Sequence, residues 1–429
     1  MRTSARISRT ASLVARAAEL CCALIAASAA LAPHLLAAQS IVVRPGSAVP
    51  TLTAALARAT PGATITVTAG TYREPTILVK VPRLTILGEG WPVFDGEGVR
   101  ELLVVSADSV TLRGLTFINT GVSQMQDRAA VRVVDARGCL IDGNRIRDAL
   151  FAIYLQRADG CEVRGNDIEA AGREETQNGN GVHLWYSPNT RVIGNTIRGQ
   201  RDGIYFEFSR SSVAQGNVSE GNRRYGLHFM FSDSCRYERN TFKGNGAGVA
   251  VMYSRHILMD GNGFLDATGS GAYGLLLKEI TDGTLVRNRF EGNSTGLLLE
   301  GASRLDIRDN DFRRNGWAVR LMASAEDSHF TGNIFEANAF DVSTNSRTLN
   351  SDFKGNWWDA YRGYDLDRDG SGDVPFRPVR FFALVVERHP EALMMLRSPI
   401  TSLLDVAERV FPVLTPALAD SRPLMRSPR

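Results

Sequence analysis

Beyond its first forty residues the chain has no run of ~18 uncharged apolar residues, so that part does not cross a membrane as a helix. No G-x-x-x-x-G-K-[ST] segment occurs, and P-loop ATP hydrolysis is thereby excluded. A strong charge of one sign is also missing. The formal charge is +3, and Arg2, Arg6, Arg9 and Arg16 against Glu19 account for all of it. The rest is near neutral, which argues against a polyanion such as nucleic acid held by bulk charge. Aromatic residues are few, at 8%, whereas glycine is plentiful, at 40 of 429 residues. That balance suits a turn-rich fold, and 44% hydrophobic content rules out wholesale disorder.

The four arginines precede an apolar run, Leu20–Leu36, which ends in Ala37 and Ala38. A basic start, an apolar middle and small residues at the exit describe a secretory signal peptide over 1–38, with a mature chain from about Gln39. A twin-arginine dipeptide is missing, as is a small residue before Cys21 that would direct lipidation. An exported, soluble protein is expected.

Asparagines recur at 144, 166, 195, 217, 240, 262, 288, 310, 333 and 356, in steps of 22 to 29 residues. Apolar columns flank them. Three residues before come Ile141, Val163, Val192, Ala214, Tyr237, Met259, Leu285, Ile307, Phe330 and Phe353. Two residues after come Ile146, Ile168, Ile197, Ser219, Phe242, Phe264, Phe290, Phe312, Phe335 and Trp358. The period of two marks short half-buried strands, and each unit is too short for a βαβ crossover. The fold expected is all-β, a right-handed parallel β-helix of about a dozen coils over 39–360, each coil rising ~4.8 Å. The asparagines would form an amide ladder in a tight turn. A helix within Pro50–Ala59 would cap the open first coil.

Each coil carries a second strand, often opened by glycine, as in Gly203-Ile204-Tyr205-Phe206-Glu207 and Gly226-Leu227-His228-Phe229-Met230. The first and third positions after the glycine are apolar and face the core, so the second and fourth face out, onto a solvent-facing wall. One outward column reads Tyr154, His183, Tyr205, His228, Ala250; its neighbour reads Gln156, Trp185, Glu207, Met230, Met252, Lys278, Glu300, Met322. His228, Met230, Met252 and Glu207 are thus close enough to approach one point, with His183 two coils away. Imidazole and thioether suit copper, and thioether especially Cu(I). Met259 is assigned to the core, His256 is ambiguous, and His329 is read as plain surface. Cys139, Cys161 and Cys235 have inward parity, so no outward thiol is available to a metal. Cys139 and Cys161 lie on consecutive coils, where either buried thiols or a disulfide fits.

The tail has two features. Asp365, Asp367, Asp369 and Asp373 alternate around a glycine bend within 361–380, as in the first nine positions of a calcium loop, although the twelfth position is Phe376. After it, 381–429 holds two apolar pieces separated by prolines: Phe381–Leu396, and a helix opened by Ser398-Pro399 with Ile400, Leu403, Leu404, Ala407, Val410 and Phe411 on one face. These read as a cap or a docking element.

The runs Gly181-Val182-His183-Leu184-Trp185-Tyr186-Ser187, Arg201-Asp202-Gly203-Ile204-Tyr205, Arg224-Tyr225-Gly226-Leu227-His228-Phe229-Met230 and Gly248-Val249-Ala250-Val251-Met252-Tyr253-Ser254 closely resemble the NosD family. Asn356-Trp357-Trp358-Asp359 and the acidic turn match it too. NosD proteins are periplasmic maturation factors of nitrous oxide reductase within the carbohydrate-binding and sugar-hydrolase (CASH) β-helix superfamily. The resemblance implies an accessory protein rather than an enzyme. It would be held at the inner membrane by an ABC-transporter permease with its ATPase. Copper would come from a membrane-bound chaperone and serve the copper–sulfide centre of nitrous oxide reductase. The family pattern does not name ligands; His183, Glu207, His228, Met230 and Met252 follow from the columns alone. The rival expectation is a polysaccharide lyase, hydrolase or epimerase on the same scaffold, using Trp185, Tyr186, Tyr205, Glu207 and His228. A passive binding scaffold would leave the methionines and the tail without a role.

Overall fold

The computed structural model describes residues 39–123, 125–170, 177–346, 350–396, 398–399, 401, 403–404 and 418–428. The expected signal peptide lies outside them, as do Ile400, Ala407, Val410 and Phe411 of the expected tail helix.

Three parallel sheets of fourteen, twelve and thirteen strands wind into a parallel β-helix of about 13 turns. The coil around Asn240 shows the plan. Arg236–Glu238 lies in the first sheet, Thr241–Lys243 in the thirteen-stranded sheet and Gly248–Met252 in the twelve-stranded sheet. Each strand pairs with its equivalents one coil away, as Tyr237 does with Ala214 and Met259. Both apolar columns flanking the asparagines are buried, so the period of two translates directly into an interior. From Phe242 onward the second column is a file of stacked rings through Phe264, Phe290, Phe312 and Phe335 to Trp358, with centroids 4.0–5.6 Å apart.

The asparagine ladder is continuous. Asn217 donates its backbone N–H (3.0 Å) and its Nδ2 (2.9 Å) to Asn240 Oδ1, and the Nδ2 also reaches the Val192 carbonyl at 2.8 Å. From Asn144 to Asn333, each asparagine of this ladder has its backbone N–H satisfied by the amide of the next. The residue before each asparagine has positive φ. Gly143, Gly165, Gly194, Gly216, Gly261, Gly332 and Gly355 supply it freely, and Arg239, Arg287 and Asp309 adopt the same bend. A second ladder, five residues further on, runs Asn222–Asn245 and Asn293–Asn315–Asn338. Its spacing was legible in the sequence, because it repeats with the same period.

The first coil is closed by helix Leu52–Leu56, whose Leu52 and Ala55 enter the core. Its N-terminal amides are held by Thr51 Oγ1 and by the Glu74 carboxylate, which accepts from Leu52 (2.8 Å) and Thr53 (2.9 Å). Helix Phe381–Arg388 lays Phe382, Ala383 and Val386 against Phe340 on the outside of the last coils. Cys139, Cys161 and Cys235 are buried free thiols. The disulfide alternative for Cys139 and Cys161 is corrected: the Cys139 N–H donates to Cys161 Sγ at 3.3 Å, a stacking contact between coils.

Candidate metal centre

Strands Asn180–Trp185, Asp202–Glu207, Tyr225–Met230 and Gly248–Met252 lie side by side in the twelve-stranded sheet. Close packing at their start requires glycine. A Cβ on Gly203 would lie 2.0 Å from Ser219 Oγ and 2.6 Å from the Gly226 carbonyl oxygen. Register then aligns His183 with Tyr205, Tyr205 with His228, Trp185 with Glu207, Glu207 with Met230, and Met230 with Met252. Val182, Leu184, Ile204, Phe206, Leu227 and Phe229 fill the interior. The outward parity of the candidate residues therefore holds.

Their exposure does not follow the expectation of a solvent-facing wall. His183 is 6% and His228 7% exposed. The cause is mutual stacking. Tyr154, His183, Tyr205 and His228 form a file of rings with successive centroids 4.6, 4.7 and 4.6 Å apart, and Tyr225 packs on His228 at 4.8 Å. Rungs ~4.8 Å apart hold flat rings at contact distance, so the column covers itself. Burial pushes the Tyr154 hydroxyl up to about 12 and raises that of Tyr205 as well. It also lowers the His183 pKa, against the opposing pull of Glu207.

The neighbouring column of Trp185, Glu207, Met230 and Met252 is half-buried and reachable. Met230 Sδ accepts from the Tyr205 hydroxyl at 3.5 Å. Lys278, the next rung after Met252, pairs with Glu300 at 2.8 Å. His183 and His228 stand apart, on opposite sides of the Tyr205 ring. His183 Nε2 faces Glu207 Oε2 at 3.8 Å, and His228 shares its strand with Met230. Among the described residues, no three carboxylate, imidazole or thiol ligand atoms gather here within 4.8 Å; Asp365, Asp367 and Asp369 do so in the tail. A soft ion at the column would therefore depend on the thioethers.

Asp202 was not singled out from the sequence. Its side chain is 0% exposed, accepts from Arg224 Nε (2.9 Å) and Nη2 (2.6 Å), and lies 3.5 Å from His228 Nδ1. Burial opposes its charge, but His228 and Arg224 together hold its carboxyl below the usual range. A polar residue at the start of a strand gave no hint of this contact, because its partners come from the next coil.

A second ring file borders the column on its other side: Tyr186, Phe208, Phe231 and Tyr253, stacked 4.7–5.1 Å apart and 38–48% exposed. It occupies the same four rungs. Arg157 precedes it and Glu279 follows it at the equivalent turn. Of the other sequence candidates, Met259 is in the core, whereas His256 and His329 are exposed. In the tail, Asp373 stands apart from the other three carboxylates and accepts from the Leu366 N–H at 2.7 Å. Asp369 pairs with Arg422, and Phe376 packs against Trp358.

A family model described as "Periplasmic copper-binding protein (NosD)" matches residues 168–363. The chain is 36% identical over 354 residues to a probable ABC transporter binding protein NosD of Pseudomonas aeruginosa, covering 78% of this chain and 82% of that protein. It is 32% identical over 362 residues to the protein of the same description from Stutzerimonas stutzeri, covering 78% and 81%. The chain belongs to the NosD family. The stretch matched by the NosD model contains Asp202, all five copper candidates, the whole of the outer ring file and all of the inner one except Tyr154. Two solved structures share the fold at low sequence identity. The catalytic domain of a GH87 α-1,3-glucanase aligns with TM-score 0.59 at 12% identity over 75% of this chain and 69% of that one. A mannuronic acid-specific family 6 polysaccharide lyase aligns at 0.53 and 14% over 82% and 94%.

Proposed function

We propose that this protein handles copper in the periplasm as an accessory of an ABC-type transporter, in the assembly of the copper–sulfide centre of nitrous oxide reductase. One observation carries the reading: Met230 and Met252 are in register on adjacent rungs, beside His228 and Glu207, on the reachable face of a NosD-family chain. Thioethers hold Cu(I) in preference to harder ions, and an open column lets the ion leave again. Copper is the cargo in this reading, received from a membrane-bound chaperone and passed towards the reductase. The sugar-enzyme alternative asks for a second carboxylate to work with Glu207. Asp202, on the same strand, is committed to Arg224 and His228.

The tail supports attachment to the permease. Leu393, Met394, Met395 and Leu403 are exposed, Met394 at 90%, next to Ala392, Leu396 and Leu404, which pack on the last coils. For the acidic turn we propose a structural calcium on Asp365, Asp367 and Asp369, in the weak millimolar class because Phe376 offers no twelfth ligand. A melting temperature unmoved by millimolar calcium removes that part.

The test of the main reading is titration of the mature protein with Cu(I) under reducing conditions, beside His228→Ala/Met230→Ala/Met252→Ala. The triple variant is expected to bind at least about tenfold more weakly. Equal affinity in both would falsify the site. Met394→Asp/Met395→Asp/Leu403→Asp, which keeps the Asp420 cap, is expected to abolish association with the transporter; retained association assigns the docking elsewhere.

A further inference from the structure

His183 and His228 occupy the same outward column, yet their ring nitrogens meet opposite chemistry. Arg201 Nη2 lies 3.1 Å from Asn180 Oδ1. A guanidinium only donates, so the orientation of the Asn180 amide is set with its oxygen towards Arg201. The atom that Asn180 turns to His183 Nδ1, at 3.4 Å, is consequently Nδ2, a donor. An Nδ1 that receives an N–H holds its lone pair, and the neutral ring then carries its proton on Nε2. That Nε2 is buried and has no hydrogen-bond partner within range. The group it faces is the Glu207 carboxylate, at 3.8 Å. The ring plane is clamped by Tyr154, stacked at 4.6 Å and 12°, and by Tyr205 at 4.7 Å.

At His228 the neighbour of Nδ1 is instead the Asp202 carboxylate, and Arg224, which also approaches that nitrogen at 3.4 Å, is tied to Asp202 by two shorter bonds. Asn180 and Asp202 are register partners in the sheet. The same rung position thus presents an amide donor to one histidine and a carboxylate to the other.

We infer that His183 is a positioning residue and not a metal ligand: the Arg201–Asn180 relay keeps a proton on its Nε2, and that N–H faces the Glu207 carboxylate across 3.8 Å and orients it electrostatically in the column beside Met230. A metal at this Nε2 would have to displace the proton. The inference rests on the copper reading of the column for its purpose, but the tautomer stands or falls on its own.

Two measurements test it. In histidine-labelled, metal-free protein at about pH 8, long-range proton–nitrogen correlation is expected to show His183 with Nε2 protonated. Nδ1 protonation overturns the inference. Copper(I) affinity is then compared in two variants. His183→Gln places an amide N–H where Nε2–H was, and is expected to keep affinity within about twofold. His183→Phe keeps the ring stack without the donor, and is expected to lose about tenfold. Loss in His183→Gln equal to that in His183→Phe, with the melting temperature retained, makes His183 a ligand and overturns the assignment. Absence of Cu(I) binding in the wild-type protein sinks the copper reading instead, and leaves the tautomer to the spectrum.

Discussion

Asp420 stands where the next asparagine of the ladder would stand: its Oδ2 accepts from Asn356 N at 2.9 Å and from Asn356 Nδ2 at 3.0 Å. The same oxygen takes Trp358 Nε1 at 3.0 Å, while Oδ1 takes the Gly355 N–H at 3.0 Å. A residue from the chain's last stretch closes the open end of the ladder, which otherwise leaves buried donors with no acceptor.

Asp420→Ala should therefore unfold the last coils first. It strands five donors, the Arg422 N–H included, at a cost of about 2–4 kcal/mol. Hydrogen exchange should show protection lost at Asn356 and Trp358 but kept around Asn240, because a solenoid is stabilised chiefly by nearest neighbours. Asp420→Asn, which still offers one carbonyl, should be milder. Uniform loss of protection along the chain would contradict local capping.

Inside the ladder, Asn240→Ala removes the acceptor of both Asn217 donors and the amide that Asn240 itself gives to Asn262 and Ala214. Urea unfolding should show about 2–4 kcal/mol of destabilisation. A change under about 0.5 kcal/mol would mean that water replaces the missing amide.

Asp202→Ala leaves Arg224 and His228 without their buried partner, and about 3–5 kcal/mol should be lost. Glu220→Ala breaks the Arg198 pair, whose side chains are 45% and 35% exposed, and should stay within about 1 kcal/mol. Parallel urea titrations compare the two. Similar losses would deny Asp202 its special place.

Asp341, buried in the last coil beneath the tail helix, has its carboxyl pushed up to about 7, first by burial and then by Asp359, against Arg380 and Asn338. The folded pKa lies above the unfolded one. Stability from this group is therefore full below about pH 4 and drains away as pH rises through about 7. Asp341→Asn should flatten that decline and raise the melting temperature at about pH 8 by roughly 2–4 °C. A steeper decline in the variant would reverse the sign.

The repeat, the parallel β-helix and the outward parity of His183, Glu207, His228, Met230 and Met252 were legible in the chain, because a strand alternates strictly and a solenoid repeats its alternation in register. What lay across the coils was not. Asp202 meets His228 from a rung away, and no local pattern marks it. The burial of both histidines follows from ring-on-ring contact, which parity alone does not convey. The Asn222 and Asn245 amides carried a readable period but repeat on fewer coils, and their ladder is broken at Ala267, whose backbone N–H alone joins Asn293.

By itself the sequence determined the solenoid and which side chains point away from its interior, since both depend on short-range alternation between apolar and polar residues. Only the tertiary structure decided which of those outward groups are covered, which nitrogen of His183 faces Glu207, and that Asp420 ends the ladder. These depend on the ~4.8 Å approach of segments twenty to sixty residues apart, and distance along the chain carries no record of that approach.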